Sequence, residues 1–266
     1  MATYVISDIH GCYTAFQRLL KQIEFDYDND ELIIAGDIVD RGTENLEMLK
    51  YLENHPDNVT FLMGNHDYDF MESCRDLINA YESKENNCSS KKILKDEIIK
   101  ERLLYDEYGT FKNLISRSEL DIDDYRRWAS LFADLEYYLI KEINGKKYVI
   151  VHAGYITRED YTRSVCMGAM TGFLRSKIEN FYIWAREEAY NFGGMKNATI
   201  IFGHTPTVAD SMFNNDGRVW TETNRRNRCR YINIDCGYVY KKYFPNANMA
   251  IIRLDDEKIF YLKEEV

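Results

Sequence analysis

The stretch "VISDIHGCY", residues 5–13, opens with an apolar run and then sets an acid and a histidine two positions apart, followed at once by glycine. In a β-strand, side chains at i and i+2 share a face, so Asp8 and His10 can address one ion or one phosphate if the run continues as a strand. Taken alone, the stretch reads first as a strand end entering a polar loop with a capping Asp. The same sentence recurs along the chain, however. "LIIAGDIVDRG" ends an apolar run in Asp37, Asp40 and Arg41; "TFLMGNHD" ends one in Asn65, His66 and Asp67; "YVIVHAG" delivers His152 and "TIIFGHT" delivers His204.

Between these runs lie amphipathic segments, "CYTAFQRLLKQIEF" and "ENLEMLKYLEN", which read as helices. The resulting βαβαβ order implies parallel strands with covering helices, and ligands of such sheets bind beyond the carboxyl ends of the strands. Four of the five histidines sit at predicted strand ends; His55, in "ENHPDN", does not and is assigned no role. Residues 70–135 change character. They carry helical periodicity and the polar stretch "YESKENNCSSKK", predicting a helical insertion with a loop near its middle. The second half is richer in strands. Asn144-Gly145 marks a hairpin, "IENFYIWAREEAYNF" reads as a helix, and "ATIIFGH", "RYINIDCG" and "MAIIRLD" read as strands, so mixed sheets are expected instead of a doubly wound one.

Composition narrows the function. The chain has 266 residues with 34 basic and 44 acidic side chains, a net charge of −10, which argues against nucleic acid as the main partner because duplex affinity comes from neutralising phosphates. No run approaches the 18 apolar residues of a membrane span and no signal-type segment stands at the start, so no membrane association and a cytoplasmic location are expected. Six scattered cysteines form no CxxC pair and read as reduced thiols. The candidate ligands are oxygen and imidazole donors without thiolates, a set suited to borderline divalent ions and not to a structural zinc site.

The blocks "SDIHG", "GDIVDRG" and "GNHD", with the later "VHAG" and "FGHT", resemble the signature blocks of the phosphoprotein phosphatase family of calcineurin-like metallophosphoesterases, in its bacterial and phage form. The intervals fit as well: 29 residues from Asp8 to Asp37, 28 to Asn65, 87 to His152 and 52 to His204. The resemblance covers nearly the whole chain. It implies an α/β calcineurin-like fold, mixed β-sheets in a central sandwich flanked by helices, formed by residues 1–266 as a single domain with the insertion at about 70–135.

It further implies two divalent metal ions, Mn foremost and Fe, Zn, Co or Ni as alternatives. Asp8, His10 and Asp37 would hold one ion, with Asp37 bridging to a second held by Asn65, His152 and His204. Arg41 would bind phosphate, His66 would protonate the leaving group and Asp40 would orient it. Arg186 is the expected second phosphate-binding arginine, with Arg158 and Arg175 as competitors. The implied activity is a metal-dependent serine/threonine protein phosphatase hydrolysing phosphoserine and phosphothreonine monoesters, with a phosphorylated protein or small phosphoester as partner. A dinucleoside polyphosphate hydrolase with the same metal site is the alternative. A catalytically inactive metal-binding scaffold is the remote third, disfavoured by the intact Asp40, Arg41 and His66. Ser7 stands where the family usually has glycine, and Asp67 where eukaryotic protein phosphatases have glutamate. Both departures bear on substrate, not on chemistry.

Overall fold

A computed structural model of the chain describes residues 1–82, 109–115, 117, 119–170, 172–224 and 228–264. Two five-stranded sheets carry the architecture. In the first, β1 (Thr3–Ile6), β2 (Glu31–Ile34) and β3 (Val59–Phe61) run parallel, and β9 (Ala250–Arg253) and β10 (Lys258–Tyr261) add antiparallel, in the order β10-β9-β1-β2-β3. The second has the order β4-β5-β6-β8-β7, built from β4 (Tyr138–Ile143), β5 (Lys146–Val151), β6 (Ala198–Phe202), β7 (Trp220–Asn224) and β8 (Cys229–Asn233). Here β5, β6 and β8 are parallel, while β4 and β7 pair antiparallel to them at the edges. The mixed sheets expected from the sequence are thus present.

Alternation explains why the central strands are apolar throughout. Val5 and Ile33 of the first sheet join Ile150, Ile201 and Ile232 of the second in one buried cluster between the sheets. Their neighbours Tyr4, Ile6, Leu32 and Ile34 point the other way, into a core shared with the helices. A strand covered on both faces reads as a continuous hydrophobic run.

Helices α1 (Tyr13–Gln22) and α2 (Asn45–Glu53) follow β1 and β2. Then come α3 (Asn65–Glu82), α4 (Thr110–Ile115) and α5 (Ile122–Ala133) in the stretch predicted to be helical. Asp121 caps α5 by a reciprocal capping box with Asp124, and α5 lays Trp128 and Phe132 against Phe70 of α3 at ring separations of 6.2 and 5.8 Å. The loop expected around residues 83–92 lies outside the described residues.

Two expectations need correction. The segment "IENFYIWAREEAYNF" forms two helices, α7 (Ile178–Trp184) and α8 (Glu187–Asn191), after α6 (Arg158–Cys166). The break has a specific cause: the Tyr182 carbonyl, which would accept from Arg186 in a continuous helix, instead accepts from Ala153 N–H at 2.8 Å. Periodicity cannot register a carbonyl taken by a distant loop. Strands β7 and β10 were also not anticipated; both lie at sheet edges, where "WTETN" exposes Thr221, Glu222 and Thr223 and so lacks an apolar run.

Phe132 is fully buried against Phe70 of α3. Phe132→Ala should therefore cost about 3–5 kcal/mol in denaturant unfolding, while a cost under about 1 kcal/mol would show that α5 is not part of the cooperative core.

Candidate active site

The loops after β1, β2, β5 and β6 carry Asp8/His10, Asp37/Asp40/Arg41, His152 and His204, the start of α3 just after β3 carries Asn65/His66, and these side chains meet at one place. All are buried apart from the partly exposed Arg41. The β1 and β2 loops extend their parallel pairing past the strand ends: Asp8 N–H donates to Gly36, His10 N–H to Asp37 and Gly11 N–H to Ile38, at 3.1, 2.9 and 2.8 Å. Holding the side chains inward costs backbone comfort. Asp8, His10, Asp37, Asp40, Arg41 and His204 all have positive φ, between 48° and 73°. For non-glycine residues that conformation is unfavourable by about 1 kcal/mol or more and persists only where the surroundings enforce it.

Asp37 is at the centre. Its Oδ1 accepts the His66 backbone N–H at 2.9 Å, which fixes the carboxylate, while Oδ2 lies 3.6 Å from His10 Nε2 and 3.4 Å from His152 Nε2. His10 and His152 donate through Nδ1 to the carbonyls of Val39 and Ala35 at 2.8 and 3.0 Å, so both Nε2 atoms turn a lone pair toward the carboxylate. Asn65 Oδ1 stands 2.9 Å from His152 Nε2 and 2.8 Å from His204 Nδ1. His204 Nε2 is buried without a partner. His204 Nδ1 can meet Asn65 Oδ1 as a neutral N–H donor, but His152, with Nδ1 committed to Ala35, faces acceptors on Nε2 as well and so needs a proton or a metal ion there.

The titration tendencies say the same. Burial raises Asp8 to about 6, and burial with Asp37 raises Asp67 to about 7. Burial alone would raise Asp37, yet His152, His66 and His10 outweigh it and hold that carboxylate well below its usual range. His10 and His204 are driven well below theirs, chiefly by burial, into the neutral form that ligates metals. His152 moves to about 9 because Asp37 more than offsets its burial. A carboxylate and imidazole set with this balance fits divalent cations. His10, Asp37 and His66 form one convergent group, and Asp37, His152 and His204 a second, sharing the aspartate.

His66 belongs to the first convergent group by distance, but its Nδ1 is held by Asp40 Oδ2 at 2.7 Å. That pairing fixes the ring. Asp8 approaches His10 Nε2 at 3.9 Å, and its carboxylate also accepts the His204 backbone N–H. Arg41 Nη1 donates to His10 Nε2 at 2.8 Å, and its guanidinium lies 5.3 Å from the Tyr240 ring centre. Arg186 is exposed at the break between α7 and α8 and donates to Thr205 Oγ1 at 2.8 Å, one residue beyond His204. Arg158 opens α6 and Arg175 closes a 3-10 turn; among the described residues neither shows a contact with the cluster. His55 donates to Leu52 O at 2.6 Å beside Phe61, away from the site. The five described cysteines form no disulfide with one another.

Two residues assigned no role in the sequence reading prove central to the loops. The Asp67 carboxylate, fully buried, accepts from the backbone N–H groups of Asp37, Ile38 and Gly64 at 2.7, 2.9 and 3.0 Å and so ties the β2 loop to the β3 loop. Asp235, after β8, is buried near Asp8 and Arg41 and accepts the Gly237 N–H at 2.9 Å. "GNHD" and "NIDCG" contained both residues, but nothing local distinguishes an acid that accepts backbone N–H groups from one that binds an ion. Gly203 completes the packing, since a Cβ there would collide with the Asp8 carboxylate.

This fold and donor set define a phosphoesterase of the metal-dependent kind, and the chain belongs to the calcineurin-like phosphoesterase family, which matches residues 1–236. Among curated relatives it is 52% identical over 67 residues to the symmetrical bis(5'-nucleosyl)-tetraphosphatase of Buchnera aphidicola subsp. Acyrthosiphon pisum strain Tuc7, covering 25% of this chain and 24% of that protein. It is 38% identical over 100 residues to the protein of the same name from Buchnera aphidicola subsp. Baizongia pistaciae, covering 38% and 33%. The chain therefore spans only a quarter to a third of the length of these relatives. A crystal structure described as a candidate diadenosine tetraphosphatase has the same fold, with a TM-score of 0.53 and 15% identity over 97% of this chain and 91% of that one.

Asp67→Ala leaves three buried N–H groups without an acceptor. It should lower the melting temperature and weaken Mn affinity by about 10- to 100-fold in calorimetric titration. Unchanged affinity would show that the two loops keep their geometry without it.

Proposed function

We propose that this protein hydrolyses dinucleoside polyphosphates, with a four-phosphate substrate cleaved at its central bridge into two nucleoside diphosphates. The observation that carries the hydrolytic half is Asp37 Oδ2 within 3.6 Å of two imidazole lone pairs on opposite loops, a geometry suited to a carboxylate shared by two cations. Support for the substrate comes from the names of the curated relatives and from the flanks of the site. Trp184 packs 6.4 Å from His204 with Phe173 against it, and Tyr240 lies beneath Arg41, so aromatic faces suited to stacking bases adjoin the phosphate-binding arginines. The protein phosphatase reading rests on the intact Asp40 and on the chain's net charge of −10, and a polyphosphate hydrolase is compatible with both.

Asp8, His10, Asp37, Asn65, His152 and His204 would hold two divalent cations, which would supply an activated water and charge withdrawal from the phosphoryl group. Arg41 and Arg186 hold its equatorial oxygens by charge-assisted hydrogen bonds that strengthen as the oxygens gain charge. Asp40 keeps the His66 Nδ1–H oriented, so Nε2 delivers a proton to the departing oxygen. A nucleoside diphosphate leaves readily, whereas a serine alkoxide depends on that proton. His66→Asn should therefore reduce turnover of phosphoserine peptides by about 10²–10⁴ and that of diadenosine tetraphosphate much less, with metal content kept. Equal losses on both substrates, or loss of an ion, would make His66 a ligand instead.

Substrate choice is tested by kcat/KM of the Mn-loaded enzyme on diadenosine tetraphosphate and on phosphoserine and phosphothreonine peptides. The dinucleotide should be preferred and exhaustive chelation should abolish all turnover. Preference for a phosphopeptide would restore the protein phosphatase reading, and full activity with no metal detected would remove the metal centre.

A further inference from the structure

Arg186 leaves the backbone at the break between α7 and α8, and it is exposed. A long exposed side chain samples many rotamers, so a guanidinium that is to meet a phosphoryl group in one geometry needs something to hold it. The neighbourhood also offers competitors. Glu187 and Asp210 line, with Arg186, Thr205 and Gly203, one cleft of about 50 Å3, and a guanidinium free to turn would be drawn to either carboxylate.

The hold is Thr205. Arg186 Nη1 donates to Thr205 Oγ1 at 2.8 Å, the one side-chain hydrogen bond that Arg186 makes among the described residues. Thr205 is itself fixed: it is 7% exposed, its N–H donates to Gly203 O at 2.8 Å, and its carbonyl accepts from Asn233 Nδ2 at 2.8 Å. Asn233 closes β8 with no exposure, and its Oδ1 accepts the Asp235 N–H at 3.0 Å. The hydroxyl therefore stands on backbone braced by the end of β8, one residue beyond the candidate ligand His204. Arg41 is ordered differently, by its bond to His10 and by the Tyr240 ring, so the two arginines are held independently.

We infer that Thr205 is a positioning residue, whose hydroxyl holds the Arg186 guanidinium at the edge of the metal cluster in place to receive the phosphoryl group. The bond leaves most of the guanidinium donors available to phosphate oxygens, since one of five N–H groups is committed. The inference rests on Arg186 binding phosphate in the proposed reaction, and not on whether that phosphate belongs to a dinucleotide.

A double-mutant cycle with Arg186→Ala tests it, using Thr205→Val, which keeps the shape, and Thr205→Ser, which keeps the hydroxyl. The substrate is p-nitrophenyl phosphate, which carries a phosphoryl group and no nucleoside, so the cycle holds even if the wild type prefers phosphopeptides. Thr205→Val should lower kcat/KM about tenfold and weaken orthophosphate binding to the Mn-loaded protein in calorimetric titration, with Mn content unchanged. Thr205→Ser should restore most of both, and Thr205→Val should cost nothing further once Arg186 is alanine. An equal loss in both arginine backgrounds, or a serine variant as impaired as the valine one, overturns the inference. So does an unimpaired Thr205→Val protein beside an impaired Arg186→Ala one, which would leave the arginine in the phosphate site without its brace. An unimpaired Arg186→Ala protein removes the arginine from the phosphate site and the inference with it.

Discussion

Asp8 and Asp37 follow the adjacent strands β1 and β2, Asp67 lies in the first turn of α3 and Asp235 follows β8 of the other sheet; burying four carboxylates together is tolerable only if each is matched by donors or by cations. Asp67 is satisfied by three backbone N–H groups, and Asp235 takes one. Asp8 takes the His204 N–H. Asp37 receives one backbone N–H on Oδ1, which leaves Oδ2 to the imidazoles and, by the proposed chemistry, to the ions. The division of labour is physical: the oxygens held by backbone fix the loops, and Asp37 Oδ2, which accepts no backbone N–H, faces the imidazoles on which the proposed chemistry depends.

Two opposed sheets make this arrangement possible. The first supplies Asp8, Asp37 and Asn65 from parallel neighbours, and the second supplies His152 and His204 from β5 and β6, also parallel neighbours. Because parallel strands deliver their carboxyl ends to the same edge, five loops reach one point without long connections. The apolar packing between the sheets, centred on Val5, Ile33, Ile150, Ile201 and Ile232, sets their spacing and provides the rigidity that keeps the strained loops in place. The positive φ angles at six site residues are a cost that this core supports.

Much of this was legible in the sequence. The apolar runs that end in Asp, His or Asn located the central strands and the residues that converge, and Asn144-Gly145 located the β4–β5 hairpin. Features decided by distant contacts were not legible. The division of the helix at Ala185–Arg186 depends on Ala153 capturing a carbonyl. The clamp by Asp67 depends on N–H groups about thirty residues away. Strand β7 alternates too weakly to stand out, since its exposed face is polar. The preference first drawn from charge and from Asp40, for phosphoserine and phosphothreonine, gave way because these features are common to both substrates, whereas the names of the relatives and the aromatic flanks favour a nucleotide.

The central claim is that one carboxylate, Asp37, joins two cations. Electron paramagnetic resonance of the metal-stripped protein titrated with Mn tests it most directly, because two Mn ions sharing a carboxylate couple magnetically. At saturation the account predicts two ions per chain and an exchange-coupled multiline spectrum that Asp37→Ala abolishes. A six-line spectrum of isolated Mn at saturation, unaffected by Asp37→Ala, would contradict it.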